Sequence, residues 1–219
     1  QFQSQRFPQA IALFSDLLKR RPDWAGVHGK LGSAYAVAGQ RDKAEEHLRA
    51  VARHDPDDAY GINMLGWLAY LDNRPDEAAD WYRQADQLDP WNATVNYHWG
   101  LSLAKRERWP AAAERFRKAL KVDPRHAGAC QALSHALRRQ GERDEALRFA
   151  ERAVRLTREK NADVLLTLAE CQADLGHYAD AEATANQAFD LALADNATAL
   201  AAIRARRDEF RERAKQAPR

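Results

Sequence analysis

Residues 59–92 read AYGINMLGWLAYLDNRPDEAADWYRQADQLDPWN. Apolar residues are dense over Ala59–Leu71, with no proline or Asn-Gly turn to interrupt them, so this part is expected to be a helix. The polar turn Asp72–Arg74 follows. Pro75-Asp-Glu then has the character of a helix start, because proline is tolerated at the first helical position and acidic residues suit the positive end of the helix dipole. Trp81, Tyr82, Ala85 and Leu88 continue a second helix until Asp89-Pro90 stops it. Two helices with a tight turn between them make an antiparallel hairpin.

The same hairpin recurs at a fixed step. Prolines stand at 22, 56, 90 and 124, each 34 residues after the last, and Asp55, Asp89 and Asp123 precede three of them. Gly32, Gly66 and Gly100 are followed by Ser134, Leu31 and Leu65 by Trp99 and Leu133, and Ala44 by Ala78, Ala112 and Ala146. A sustained period of this length means a solenoid. The small column at Gly32, Gly66, Gly100 and Ser134 is expected to meet the alanine column and let the two helices of a hairpin approach closely.

Five whole units follow from this step: 25–58, 59–92, 93–126, 127–161 and 162–195. The fourth is one residue longer and has Arg158 where proline is expected. Residues 1–24 are expected to hold the second helix of a truncated unit, Phe7 through Phe14 to Pro22. Residues 196–219 are expected to form a capping helix (Leu200, Ile203, Arg207, Phe210) and a basic tail. The half-unit and the initial Gln1 point to a module excised from a larger protein.

These residues resemble the tetratricopeptide repeat family. The resemblance rests on the Leu31-Gly32 pair with Tyr35, the Gly39-Gln-Arg41 turn, and the Ala44, Leu48, Pro56 series. It rests equally on Leu65-Gly66 with Ala78, Tyr82 and Pro90, and on Gly100 with Trp109, Ala112, Phe116 and Pro124. Trp99 in a leucine column, Asn73 in the glycine turn and Arg158 are departures. The resemblance implies an all-α, right-handed superhelical solenoid of antiparallel hairpins. In the family the first helices line a concave groove that holds extended peptides or short helices.

Four columns of the first helices would then point into the groove: Gly26/Tyr60/Thr94/Gly128, Gly29/Asn63/Tyr97/Gln131, Ser33/Trp67/Leu101/His135 and Ala36/Tyr70/Ala104/Arg138. The candidate peptide-binding set is Tyr60, Asn63, Trp67, Tyr70, Tyr97, Gln131, His135 and Arg138. Aromatic walls, an amide able to bond a peptide backbone and a basic end suit an extended ligand with an apolar anchor and an acidic feature. Arg138-Arg139 also suits an ordinary charged face, and the aromatics also suit packing between repeats.

Composition narrows the classes. Hydrophobic residues at 45% and charged residues at 30%, with only 10 Gly and 8 Pro in 219 residues, describe a folded chain, not a disordered or fibrous one. A net charge of +2 gives no reason to expect nucleic acid, although the C-terminal arginines from Arg204 to Arg219 leave it as a minor alternative. No apolar run approaches the ~20 residues of a membrane helix, and no signal peptide is present, so the compartment stays open between cytoplasm and periplasm.

No catalytic motif is found, so no enzyme activity and no cofactor is expected. His126 and Cys130 lie one helical turn apart, but two ligands do not make a metal site. Asn92-Ala-Thr94 and Asn196-Ala-Thr198 have the form of glycosylation sequons and are taken as helix starts. The expected partner is a protein or peptide. Self-assembly through Trp24, Trp81 and Trp91 is the alternative.

Overall fold

The computed structural model describes residues 6–194 and 198–216. Twelve α-helices and no strand are found among them. They are α1 (Arg6–Arg20), α2 (Ala25–Val37), α3 (Arg41–His54), α4 (Ala59–Leu71), α5 (Pro75–Leu88), α6 (Ala93–Lys105), α7 (Trp109–Val122), α8 (Ala127–Gln140), α9 (Arg143–Thr157), α10 (Ala162–Asp174), α11 (Tyr178–Ala194) and α12 (Leu200–Gln216). The chain forms two compact units, residues 1–106 and 107–219.

Helix starts are fixed by side-chain caps at one recurring position. Asp58 accepts from the Tyr60 amide at 3.0 Å, Asn92 from Val95 at 3.1 Å, His126 Nδ1 from Ala129 at 3.1 Å and Asn161 from Val164 at 3.1 Å. Asn92 and His126 are thus occupied as caps. Asn196 and Arg219 lie outside the described residues.

The turns between paired helices need a left-handed residue. Gly39, Gly141 and Gly176 supply it at φ 74°, 80° and 83°, while Asn73 and Glu107 adopt φ 59° and 56° at the equivalent places. At the Arg158 junction α9 ends in two consecutive left-handed residues, Arg158 and Glu159, whose amides bond back to the Arg155 and Val154 carbonyls. This backbone reversal ends the helix without the missing proline and absorbs the extra residue.

The small column does what its spacing required, with one difference. A Cβ on Gly32 would lie 2.6 Å from Leu48 and 3.3 Å from the Ala44 carbonyl, so that hairpin closes on both columns. At Gly66 the atoms in the way belong to the Tyr82 ring, again at 2.6 Å. Ser134 Oγ donates to the Ala146 carbonyl at 2.8 Å and also meets Cys171 Sγ at 3.2 Å.

In each unit neighbouring helices pack in chain order, and successive first helices also touch: α2 with α4 and α4 with α6 in one, α8 with α10 in the other. No comparable packing joins α3 to α5 or α9 to α11 among the described residues. The first helices are therefore the more tightly spaced layer and line the inner side of each unit. In the second unit α12 packs on α11 and closes the stack with Ile203 and Phe210, both buried.

The first hairpin carries a histidine pair along its seam. His28 Nε2 lies 2.8 Å from the Pro22 carbonyl, which only accepts, so that nitrogen carries the proton. Its Nδ1 is then the acceptor for His47 Nδ1–H at 2.9 Å. His54 stacks on His28 at 6.0 Å, and Tyr35 stacks on His47 at 5.5 Å. One added proton fits on His47 Nε2; a second would set two N–H groups face to face.

Burial, and then the neighbouring His28, hold the pKa of His47 below its ordinary 6.5, against the pull of Glu46. A depressed histidine leaves the folded state with fewer protons than the unfolded one. Its contribution to stability is therefore intact above pH 6.5 and is lost as pH falls from there through the folded value. Thermal midpoints measured by circular dichroism should decline below that pH, and His47→Gln should flatten part of the decline. His135, which keeps an exposed edge but is desolvated on its other side and sits beside Arg138, titrates in the same direction and accounts for part of the remainder.

Candidate peptide-binding surface

The inner side of the first unit is built from α2, α4 and α6. The α2 stripe is small, and Tyr60 from the start of α4 reaches across to it: its hydroxyl lies 2.9 Å from Ser33 Oγ while the residue stays 54% exposed. One and two turns further along α4 stand Asn63 and Trp67, then Tyr70. The Trp67 and Tyr70 rings stack at 5.1 Å, and His98 of α6 stacks on Trp67 at 4.5 Å. Tyr97 adds its ring at 5.7 Å from His98. Lys105 lies over the Tyr70 ring at 4.7 Å and donates to the Tyr70 carbonyl at 3.2 Å.

Trp67, Tyr70 and Tyr97 are half-buried, leaving part of each ring open to a ligand. Burial pushes the phenols of Tyr70 and Tyr97 up, Tyr97 also because Tyr70 is near, so both stay protonated donors at neutral pH. Asn63 differs from its expected use. It is 3% exposed, and its side-chain oxygen accepts from His98 Nδ1 at 3.2 Å. The amide that the spacing offered to a ligand backbone instead orients the imidazole that backs Trp67.

His98 was outside the four inner columns because it sits one residue beside Tyr97, on the flank of the stripe. An aromatic neighbour at that flank was the available signal. Behind His98, Tyr82 is fully buried, and its hydroxyl has no hydrogen-bond partner among the described residues. Phe116 fills the equivalent place one unit later. Tyr82→Phe removes an unsatisfied buried hydroxyl and should raise stability by about 1 kcal/mol in urea unfolding.

The inner side of the second unit has a different chemistry. Gln131 donates to Thr167 Oγ1 at 3.1 Å. His135 packs edge-on against Trp109 at 5.4 Å, with Arg139 over the same indole at 4.9 Å. Arg138 is held by Asp174 at 2.6 Å and by Glu170, and Glu170 also meets Arg206 of α12 at 3.4 Å. The Arg138 charge is therefore spent on joining α8 to α10, in place of offering a basic end to an acidic ligand.

The C-terminal helix is neutralised in the same way. Arg207 meets Asp208 at 2.8 Å, Arg211 meets Glu182 at 2.6 Å, Arg213 meets Glu209 at 3.0 Å and Lys215 meets Glu212 at 2.7 Å. Trp24 and Trp91 are exposed at 41% and 74%, whereas Trp81 is not: it packs on the Ala44–Leu48–Leu65–Leu68 cluster and donates to Glu77 at 3.3 Å. Among the described residues no group of three or more His, Cys, Asp or Glu side chains is arranged to hold a metal ion. None of the described helices is long and apolar enough to cross a membrane.

Stacked hairpins at this step match three family models, each described as tetratricopeptide repeat. They cover residues 1–68 with 103–159, residues 132–197 and residues 63–84. The chain belongs to the tetratricopeptide repeat family. It is 27% identical over 115 residues to the BBSome complex member bbs-4 of Caenorhabditis elegans, a stretch that is 52% of this chain and 25% of that protein.

Among solved structures, PilW, a type IV pilus biogenesis factor, matches with a TM-score of 0.77 and 25% identity, covering 85% of this chain and 86% of PilW. MamA matches with a TM-score of 0.63 and 25% identity, over 72% of this chain and 92% of MamA. These tetratricopeptide repeats thus form a protein-interaction scaffold, and none of the matching family models describes an enzyme.

Proposed function

We propose that the inner side of the first unit binds a peptide or a partner helix, and that this chain is a non-catalytic module of a larger scaffold. The observation that carries this reading is the half-open stack of Tyr70, Trp67 and His98 on the tightly spaced first helices, with Tyr97 beside it. Rings held rigid by neighbours lose little entropy on binding and give an apolar anchor a flat wall. Tyr60 and the small residues of α2 form the adjoining floor.

Asn63 acts here through His98, as a positioning residue. Gln131, His135 and Arg138 form a separate polar surface on the second unit, suited to neutral hydrogen-bonding ligands because the Arg138 charge is already paired. Selecting peptides from a displayed library of twelve-residue sequences tests the proposal. Peptides that bind the wild type should lose affinity for Tyr97→Ala and keep it for Glu151→Ala, on an outer helix; the opposite pattern would move the site to the second helices.

Self-assembly is the second reading, favoured by the exposure of Trp91 and Trp24. Sedimentation that stays monomeric across the accessible concentration range would remove it.

A further inference from the structure

Charge is unevenly placed along this nearly neutral chain. Residues 55–92 hold nine Asp and Glu against two Lys and Arg, whereas residues 108–158 hold six against thirteen. The reversal reaches single positions. Glu46, Asp80 and Glu114 occupy one place in successive second helices, and Arg148 occupies it in α9. Opposite charges carried on one chain attract across copies, and salt weakens that attraction.

On α9 the reversal makes a groove. Glu145, Arg148, Phe149, Arg152 and Arg155 recur at helical spacing along one stripe and line a cavity of about 290 Å³. That is at the lower limit of the roughly 300–1,000 Å³ of a small-molecule pocket, so it takes one large side chain and little more. Glu145 is occupied, since both its oxygens accept from Arg117 at 3.2 Å. Arg152 donates to the Pro124 carbonyl, and Arg155 lies 3.9 Å from Glu151. Arg148 is exposed and makes no hydrogen bond or ion pair among the described residues, and Phe149 beside it is half-buried. The groove thus offers an apolar wall and unmet positive charge.

The matching feature is Trp91, at the corner between α5 and α6 in the acidic stretch. The other tryptophans are provided for. Arg21 lies over Trp24 at 5.0 Å and Arg139 over Trp109 at 4.9 Å, Trp67 stacks on Tyr70, Trp81 packs on its cluster and Trp99 is buried. Trp91 is 74% exposed with no ring or cation against it among the described residues, and Leu88 beside it is 39% exposed. Its corner is already fixed, because the Asp89 carboxylate accepts from the Trp91 amide at 3.3 Å and from the Asn92 side chain at 2.9 Å. A fixed corner loses little entropy on docking. Two indoles of this chain sit beside arginines, and the α9 groove holds the same contact ready for a third.

We propose that the chain associates with a second copy of itself head to tail, the Trp91 corner of one copy entering the α9 groove of the next. The indole lies against Phe149 and the Arg148 guanidinium, and the acidic residues around the corner face the remaining arginines. The two halves of the contact are different surfaces. Each copy offers one of each, so the assembly grows past a dimer unless it closes into a ring. This contact rests on the self-assembly reading, names its two surfaces and makes no use of the aromatic face of α4 and α6.

Sedimentation velocity across the accessible concentration range tests it, on the wild type, Trp91→Ala, Arg148→Glu and an equimolar mixture of the two variants. Both side chains are exposed, so each variant should keep the wild-type circular dichroism melt. The wild type should grow in mass with concentration, and the growth should fade as salt rises from about 20 mM to about 300 mM. Each variant alone should associate at least tenfold more weakly. The mixture should form a complex of two chains and no more, because Arg148→Glu keeps the Trp91 corner and Trp91→Ala keeps the groove. Wild-type association in both variants would overturn the proposal while leaving self-assembly through another surface. Two monomeric variants that form no complex when mixed would also overturn it, since the two surfaces would not be partners. A wild type that stays monomeric would overturn both the contact and self-assembly, and would leave the groove to a foreign acidic chain.

Discussion

Trp67→Ala should weaken a peptide selected on the wild type about 30-fold, the equivalent of about 2 kcal/mol at an aromatic anchor. The indole stacks with both Tyr70 at 5.1 Å and His98 at 4.5 Å, so removing it deletes the ring common to both contacts and lets the other two collapse or tilt. Trp67 is only half-buried, so the fold should lose little. Anisotropy titration with a labelled peptide reads the affinity, and circular dichroism melting reads the fold. Trp67→Phe should retain most of the binding, because a smaller ring still stacks. Equal affinity in Trp67→Ala and wild type would place the ligand elsewhere.

Gly66→Val should cost about 3 kcal/mol, at the upper end of what overpacking a close contact costs. A Cβ there would lie 2.6 Å from the Tyr82 ring, and that ring is fully buried and unable to swing away. The gain from replacing a helical glycine offsets at most about 1 kcal/mol of it. In a chain of this size the midpoint should fall by roughly 6–12 °C. Pairing Gly66→Val with Tyr82→Leu should recover a good part of the loss, since the two changes share one contact. If the double variant were as unstable as the sum of the single ones, the Gly66–Tyr82 contact would not be what sets the spacing of that hairpin.

The fold was legible because one step repeats. Gly66, Tyr82 and Pro90 each mean little alone, but each answers to a residue 34 positions away, and the helices begin at Ala25, Ala59, Ala93 and Ala127 on that step. The capping helix was legible for a different reason: Ile203 and Phe210 stand two helical turns apart and so share one buried stripe. The candidate surface was legible only in part. Columns of the first helices identify Trp67, Tyr70 and Tyr97, because a helix fixes which residues share a face.

Columns do not say what a neighbouring helix spends on those residues. Asn63 is claimed by His98, and Arg138 by Glu170 and Asp174, through pairings between helices that lie 32 to 36 residues apart in the chain. Long flexible side chains choose partners by distance in space, which periodicity alone does not carry. Trp81, named with Trp24 and Trp91 for self-assembly, instead folds back onto the cluster around Leu48.

The most direct measurement is hydrogen exchange mapped over the whole chain with and without a selected peptide. Slowed exchange confined to α4 and α6, with the largest change around Trp67 and Tyr97, is the expected result. Protection that falls on α3 and α5, with α4 and α6 unchanged, would contradict the assignment of the inner aromatic face as the binding surface.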